Sequence, residues 1–208
     1  MPRGLEEIIS SERLGPYLRE SGFNLERALA LYAWNMRLGS AFLPLLSSAE
    51  IGLRNLISRR LVATFGPTWW ADPGFLAVAG SKGKGIVKRA ENTLSRNGHA
   101  ATSGRMTAEL SFGFWENMLL PKYLAALWTP LHPHFPDLPA SVDLTIFGER
   151  ASKVCGLRNR IFHHEQIFQR NISQDYAECL EFIGWLSSTK AGWIKPQCDV
   201  MKVMRGRP

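Results

Sequence analysis

The densest run of potentially reactive side chains in the 208-residue sequence is Leu157-Arg158-Asn159-Arg160-Ile161-Phe162-His163-His164-Glu165. Cleaving RNA without a metal needs a group to take the 2′-hydroxyl proton, a group to protonate the leaving 5′-oxygen, and a cation to steady the phosphorane. Histidine titrates near neutrality and can fill either proton-transfer role. Arginine offers a charged fork shaped for phosphate oxygens, and Asn159 can orient an imidazole or hold a phosphate oxygen. The same residue types also build helix caps and salt-bridge networks, for which Glu165 is an obvious partner. On one regular helix Asn159 and His163 share a face, whereas Arg158 and His163 lie about 140° apart. Three solutions follow: the guanidinium wraps around, the helix unwinds near His163, or a second subunit completes the site.

Other segments point less firmly to chemistry. Gly80 to Gly85 has the outer glycine spacing of a phosphate loop, but Ile86-Val87 stand where Lys-Ser/Thr is required, so a solvated basic turn is expected. His132 and His134 could donate two imidazoles to a metal, yet only Asp137 lies nearby, and exposed loop histidines are the simpler reading. His99 beside Asn97-Gly98 reads as a loop residue, and no Gly-x-Ser-x-Gly elbow occurs.

The elements that must position these residues are helical. Leu53, Ile57, Leu61 and Phe65 recur at four-residue spacing. Leu25 to Phe42 predicts a separate helix ending near Leu43-Pro44, and Gly66-Pro67 stops the next. Ser81 to Gly85 predicts a flexible basic turn before a short helix over Ile86 to Leu94. A helix is expected from Met106 through Trp115, and another from Pro121 to Trp128. Leu131 to Pro139, preceded by Pro130 and holding Pro133, Pro136 and Pro139, has to be a loop. Val142 to Phe162 is helical in pattern despite Gly148 and Gly156. The last long helix carries Tyr176, Leu180, Ile183 and Ser187 on one face, with Asn171 or Ser173 as N-cap. The expectation is one all-α domain over 1–208, with a core from about 17 to 187 and a basic, mobile tail over 188–208.

Composition narrows the function classes. A hydrophobic share of 45%, with 7 Trp and 11 Phe, supports a sizeable aromatic core rather than disorder. The net charge of +7 favours polyanionic partners without specifying one. Cys155, Cys179 and Cys198 are too scattered for a disulfide framework or a cysteine-rich zinc site. With no apolar leader and no stretch of about 20 apolar residues, a cytoplasmic protein without membrane contact is expected.

Several blocks, taken together, resemble one family. Leu31-Tyr-x-Trp34-Asn35, Glu50-Ile-Gly-Leu-Arg54-Asn55, Trp69-Trp70 and Leu110-Ser-Phe-Gly-Phe-Trp115 are similar to blocks of Abi-like (abortive infection) proteins, in the same order. Arg158-Asn159-x3-His163 follows where that family carries the Arg-x4-His signature of HEPN domains. The similarity spans roughly Tyr17 to Leu186. It implies a HEPN-like helical bundle with additional helices and a role in phage defence or a toxin-type system. It further implies a metal-independent, cofactor-free endoribonuclease leaving a 2′,3′-cyclic phosphate. Such enzymes pair as homodimers, so two motifs meet in one cleft, and an antitoxin or regulatory RNA is a further implied partner. Carried onto this sequence, Arg158 and His163 are the catalytic pair, Asn159 assists, and His164 supports or substitutes for His163. Glu50 and Arg54 are candidates for the cleft edge, although their spacing favours an ordinary i,i+4 ion pair. Phe112 and Trp115 are expected in the core rather than as base-stacking residues. The alternative to catalysis is a HEPN scaffold that binds RNA, a nucleotide or a partner protein and leaves it intact.

Overall fold

Proline 44 does not end the first long helix. In the computed structural model, which describes residues 8–208, α2 runs unbroken from Leu25 to Phe65 for 41 residues. A proline inside a helix removes one backbone hydrogen bond and crowds the preceding turn. Here Leu38, Phe42, Leu45, Leu46, Ala49 and Leu53 are buried on both sides of it, so a continuous apolar stripe outweighs the defect. Asn24 opens the helix by accepting from the Arg27 amide at 3.0 Å.

This helix, about 60 Å long, is the axis of the fold. The remaining helices are α1 (Ser11–Glu20), α3 (Pro73–Arg96), α4 (Ser103–Glu109), α5 (Phe112–Asn117), α6 (Leu144–Phe162), α7 (Ile172–Leu186), α8 (Ser188–Ile194) and α9 (Val200–Arg205). The others pack on α2 along its length, and α3 meets it at the C-terminal end, where the Phe75 ring lies 5.9 Å from that of Phe65. No strand occurs among the described residues, so the fold is all-α. No helix among them is long and apolar enough to cross a membrane.

The predicted basic turn at Ser81 to Gly85 is helical instead. Val87, Ala90 and Leu94 are buried and give α3 an inward stripe that draws Lys82 and Lys84 into the same helix. The backbone breaks only at Gly80, where φ is 69° and ψ is −174°, a conformation open to glycine. Gly83 serves a different need, because a Cβ there would stand 2.6 Å from the Ala79 Cβ.

The single helix expected over Met106 to Trp115 is two. Leu110 and Ser111 are extended between α4 and α5, and the Trp115 Nε1 donates to the Leu110 carbonyl at 3.2 Å across the gap. The break buries Leu110, Phe112, Phe114 and Trp115 together, which one straight amphipathic helix could not do. Trp69 meets Phe114 and Trp115 at centroid distances of 6.2 and 6.1 Å. Phe112 and Trp115 are core residues, as expected.

The proline-rich loop holds one short 3-10 turn, His132–His134, and is anchored by Phe135, 4.6 Å from Phe147 on α6. Helix α6 starts on Asp143, which accepts from the Ile146 amide at 2.8 Å. Asn171 caps α7 by accepting from Gln174 at 3.1 Å. The tail beyond 188 is ordered, contrary to expectation. Val200 is fully buried, the Trp34 Nε1 donates to the Val203 carbonyl at 2.7 Å, and Arg207 pairs with Glu20 at 2.6 Å. Its basic side chains conceal a short apolar face of Val200, Val203 and Met204.

Candidate functional site

The core-facing positions of α6 are Phe147, Ala151, Val154, Cys155 and Leu157. That register turns Asn159 and Arg160 outward in the last turns and leaves Arg158 half-buried at the edge facing α2. Arg158 meets three groups there. Its Nε lies 3.4 Å from Glu50 Oε2, its Nη1 donates to Asn159 Oδ1 at 3.3 Å, and its guanidinium sits 4.2 Å from the centroid of the Phe162 ring. The contact with Glu50 is an ion pair without a hydrogen bond, so the buried Nε stays unsatisfied. The cation is held but not saturated. Asn159 also donates to the Cys155 Sγ at 3.8 Å. Burial pushes that thiol's pKa up, reinforced by the Glu116 charge and opposed by Arg158.

Glu50 therefore pairs across the fold with Arg158, and no Glu50–Arg54 ion pair occurs among the described residues. Arg54 keeps a buried Nε without a partner. Its charge acts on Lys190, whose pKa is pushed down first by burial and then by Arg54.

The two histidines separate into different roles. His163 ends α6, its amide donating to the Asn159 carbonyl at 2.9 Å, and its side chain is exposed with no hydrogen bond among the described residues. His164 occupies the left-handed region, with φ at 56°. Its amide donates to Ile161 at 3.0 Å, and the Glu165 amide donates to Arg160 at 2.8 Å. Those paired bonds are a Schellman closure, in which the left-handed position usually belongs to glycine. Arg13 on α1 donates to the His164 carbonyl, and Arg160 stands 3.8 Å from Glu165. Arg160, His164 and Glu165 close the helix, while Arg158, Asn159 and Glu50 form a separate cluster and His163 stays open.

This division predicts that His164→Gly raises stability by about 1 kcal/mol, because a Cβ in left-handed backbone is strained. Chemical denaturation checks it. A loss of stability would mean that the His164 ring, rather than its backbone, matters to the fold.

Asn35 is the site residue to which sequence reasoning gave no role. It is 7% exposed, and its Oδ1 accepts from the amides of Ile167 at 2.8 Å and Phe168 at 3.1 Å. It thereby ties the chain just past His163 to α2. The available signal was a lone amide within an otherwise apolar stripe of that helix. Between α2 and the end of α6 lies a groove of about 430 Å³ lined by Tyr32, Asn35, Met36, Leu43, Ile161 and Phe162, among others.

The other candidates fall into structural contacts. His132 Nε2 lies 3.2 Å from the Pro139 carbonyl. His134 packs on Trp128 at 6.3 Å, where burial and the Arg60 charge push its pKa down. Among the described residues no group of three or more His, Cys, Asp or Glu is placed to hold a metal ion. Comparison of the chain with protein-family models, with curated proteins and with solved structures finds no match.

Proposed function

We propose that this protein is a metal-independent endoribonuclease of an abortive-infection or toxin-type system, acting at a site that two chains complete. The observation that carries the reading is the Arg158 guanidinium, braced by Glu50 and Phe162 with an unsatisfied Nε, on the helix that ends in the open His163. The likeness of the sequence blocks to Abi-like HEPN proteins supports it, as does the net charge of +7.

In this reading His163 removes the 2′-hydroxyl proton, and the 2′-oxygen attacks phosphorus. The bond to the 5′-oxygen breaks, that oxygen takes a proton, and a 2′,3′-cyclic phosphate remains. Arg158 neutralises the charge that builds on the phosphoryl oxygens, and Asn159 steers the fork or a phosphate oxygen. Because one helix sets Arg158 and His163 about 140° apart, each site in this reading draws Arg158 from one chain of a homodimer and His163 from the other. The test is incubation of the purified protein with single-stranded RNA in EDTA. Fragments ending in 2′,3′-cyclic phosphate are expected, and intact RNA sinks the proposal.

Glu50 is a positioning residue in this scheme. Glu50→Gln should lower kcat by roughly tenfold with little change in KM, since the carboxylate restrains the fork without touching RNA. A rise in KM at constant kcat would instead make Glu50 part of the binding surface. A second reading, a scaffold that binds RNA without cutting it, draws on the same ion pair, which already offsets the Arg158 charge. It predicts salt-sensitive binding with the RNA left at full length.

A further inference from the structure

The groove beside the candidate site has features that the proposed chemistry does not use. Asn35 is 93% buried, being 7% exposed, and it lines this groove. Both of its loop partners are N–H donors, so the atom facing them must be the carbonyl oxygen. Its NH2 group finds no acceptor among the described residues. The NH2 is not shut away from solvent, so it can donate to a ligand lying in the groove. Phe162, 50% exposed, also lines the groove and already carries the Arg158 guanidinium at 4.2 Å from its ring centroid. Met36 and Leu43, 58% and 37% exposed, supply apolar wall, and the Glu165 carboxylate contributes an acceptor. The volume of about 430 Å³ falls in the range of small-molecule sites.

From this combination we infer that the groove between α2 and the end of α6 receives one unstacked nucleobase of the RNA, a uracil or a guanine. Phe162 offers a stacking face, and base–aromatic stacking is tolerant of sequence. Selection comes from the rim. The Asn35 NH2 donates to a ring carbonyl and Glu165 accepts from the adjacent ring N–H, a pairing that uracil and guanine present. With the phosphate fixing the same register, adenine and cytosine set an amino group against the Asn35 NH2 and a bare ring nitrogen against the Glu165 carboxylate, so both contacts are mismatched. The attached phosphate then lies toward Arg158, whose opposite charge matches it. This rests on the ribonuclease reading for the identity of the ligand, and it adds the substrate preference.

The experiment is direct titration of the purified protein with uridine 3′-monophosphate and adenosine 3′-monophosphate, which needs no turnover. The uridine nucleotide should bind roughly tenfold more tightly. Asn35→Asp keeps an acceptor for the Ile167 and Phe168 amides while losing the NH2, and should abolish the preference. Ser40→Trp, at an exposed position on the groove wall, should fill the mouth and remove binding of both nucleotides without lowering the thermal midpoint. Equal binding of the two nucleotides, or unchanged binding in folded Ser40→Trp, overturns the inference. So does a Ser40→Trp chain whose sole change is dissociation of a dimer in sedimentation, because the groove would then seat a second copy. If nucleotide binding follows this pattern but RNA is not cut, the ribonuclease reading fails alone. Should RNA be cut with no dependence on the groove, the base pocket fails alone.

Discussion

If the proposed ribonuclease reading holds, Arg158→Ala and His163→Ala should each lower RNA cleavage by roughly a hundred- to a thousandfold, the range for losing a phosphorane cation or a proton-transfer group. The folded state should respond differently to the two changes. His163 is exposed without a hydrogen bond among the described residues, so its loss should leave the thermal midpoint in place. Arg158 is part of a half-buried ion pair, with side-chain exposures of 26% and 19% for the two partners, and its removal should cost about 1 kcal/mol. A mixture of the two variants then tests the two-chain site. When each site draws Arg158 from one chain and His163 from the other, a mixed dimer rebuilds one intact site from two inactive chains. With random pairing the mixture recovers about a quarter of wild-type activity. Were both residues to work within one chain, no mixing ratio would restore cleavage. Wild-type rates in both single variants, with EDTA present, would remove these residues from the mechanism.

Only part of that site was legible from residue order. The 3.6-residue period set Arg158 and His163 about 140° apart around α6, which left a wrapping guanidinium, an unwound helix end or a second subunit as solutions. The same period suggested a Glu50–Arg54 pair, a local rule that tertiary packing overrides. Arg158 reaches α2 from the far end of the sequence and takes Glu50 instead. No spacing rule connects positions so remote, and the role of Asn35, which holds the backbone at Ile167 and Phe168, escaped for the same reason. His164 misled in another way. As a histidine it suggested proton transfer, while its left-handed backbone gives it a part in closing the helix.

The fold was more readable than the site, and its misses share a cause. All-α architecture followed from periodicity alone, and the Asn171 cap and the proline-rich loop fell where turn chemistry put them. Pro44, the glycines of α3 and the Leu110–Ser111 break were each judged by local propensity. In every case the burial of Phe42 and Leu45, of Val87 and Ala90, or of Leu110 and Phe112 decided the outcome. Propensity differences are worth at most about 1 kcal/mol for glycine and 3 kcal/mol for proline. A fully buried large apolar side chain contributes roughly 1.5–3 kcal/mol, so a few such residues outvote a breaker.

Removing residues 198–208 should destabilise the protein by roughly 3–5 kcal/mol, the largest effect on stability expected of any change considered. Charge composition marked this segment as a free basic tail, whose loss would cost nothing. Its contacts argue otherwise. Val200 is completely buried and Trp34 is 2% exposed, so truncation uncovers both. The Trp34 Nε1 loses its 2.7 Å bond to Val203. Arg207 gives up its ion pair with Glu20, its bond to the Phe168 carbonyl at 3.4 Å and its place over the Trp34 ring at 5.8 Å. For a domain of this size each kcal/mol moves the midpoint by about 2–4 °C, so a fall of roughly 10 °C is expected. The effect should also reach the site. Trp34 adjoins Asn35, and Phe168 donates its amide to Asn35 while its carbonyl accepts from Arg207. Hydrogen exchange at the Ile167 and Phe168 amides should therefore accelerate in the truncated chain, ahead of the amides in the middle of α7. An unchanged midpoint would return the segment to the status of a tail. A lowered midpoint with those two amides still protected would confine its role to covering Trp34 and detach it from the site.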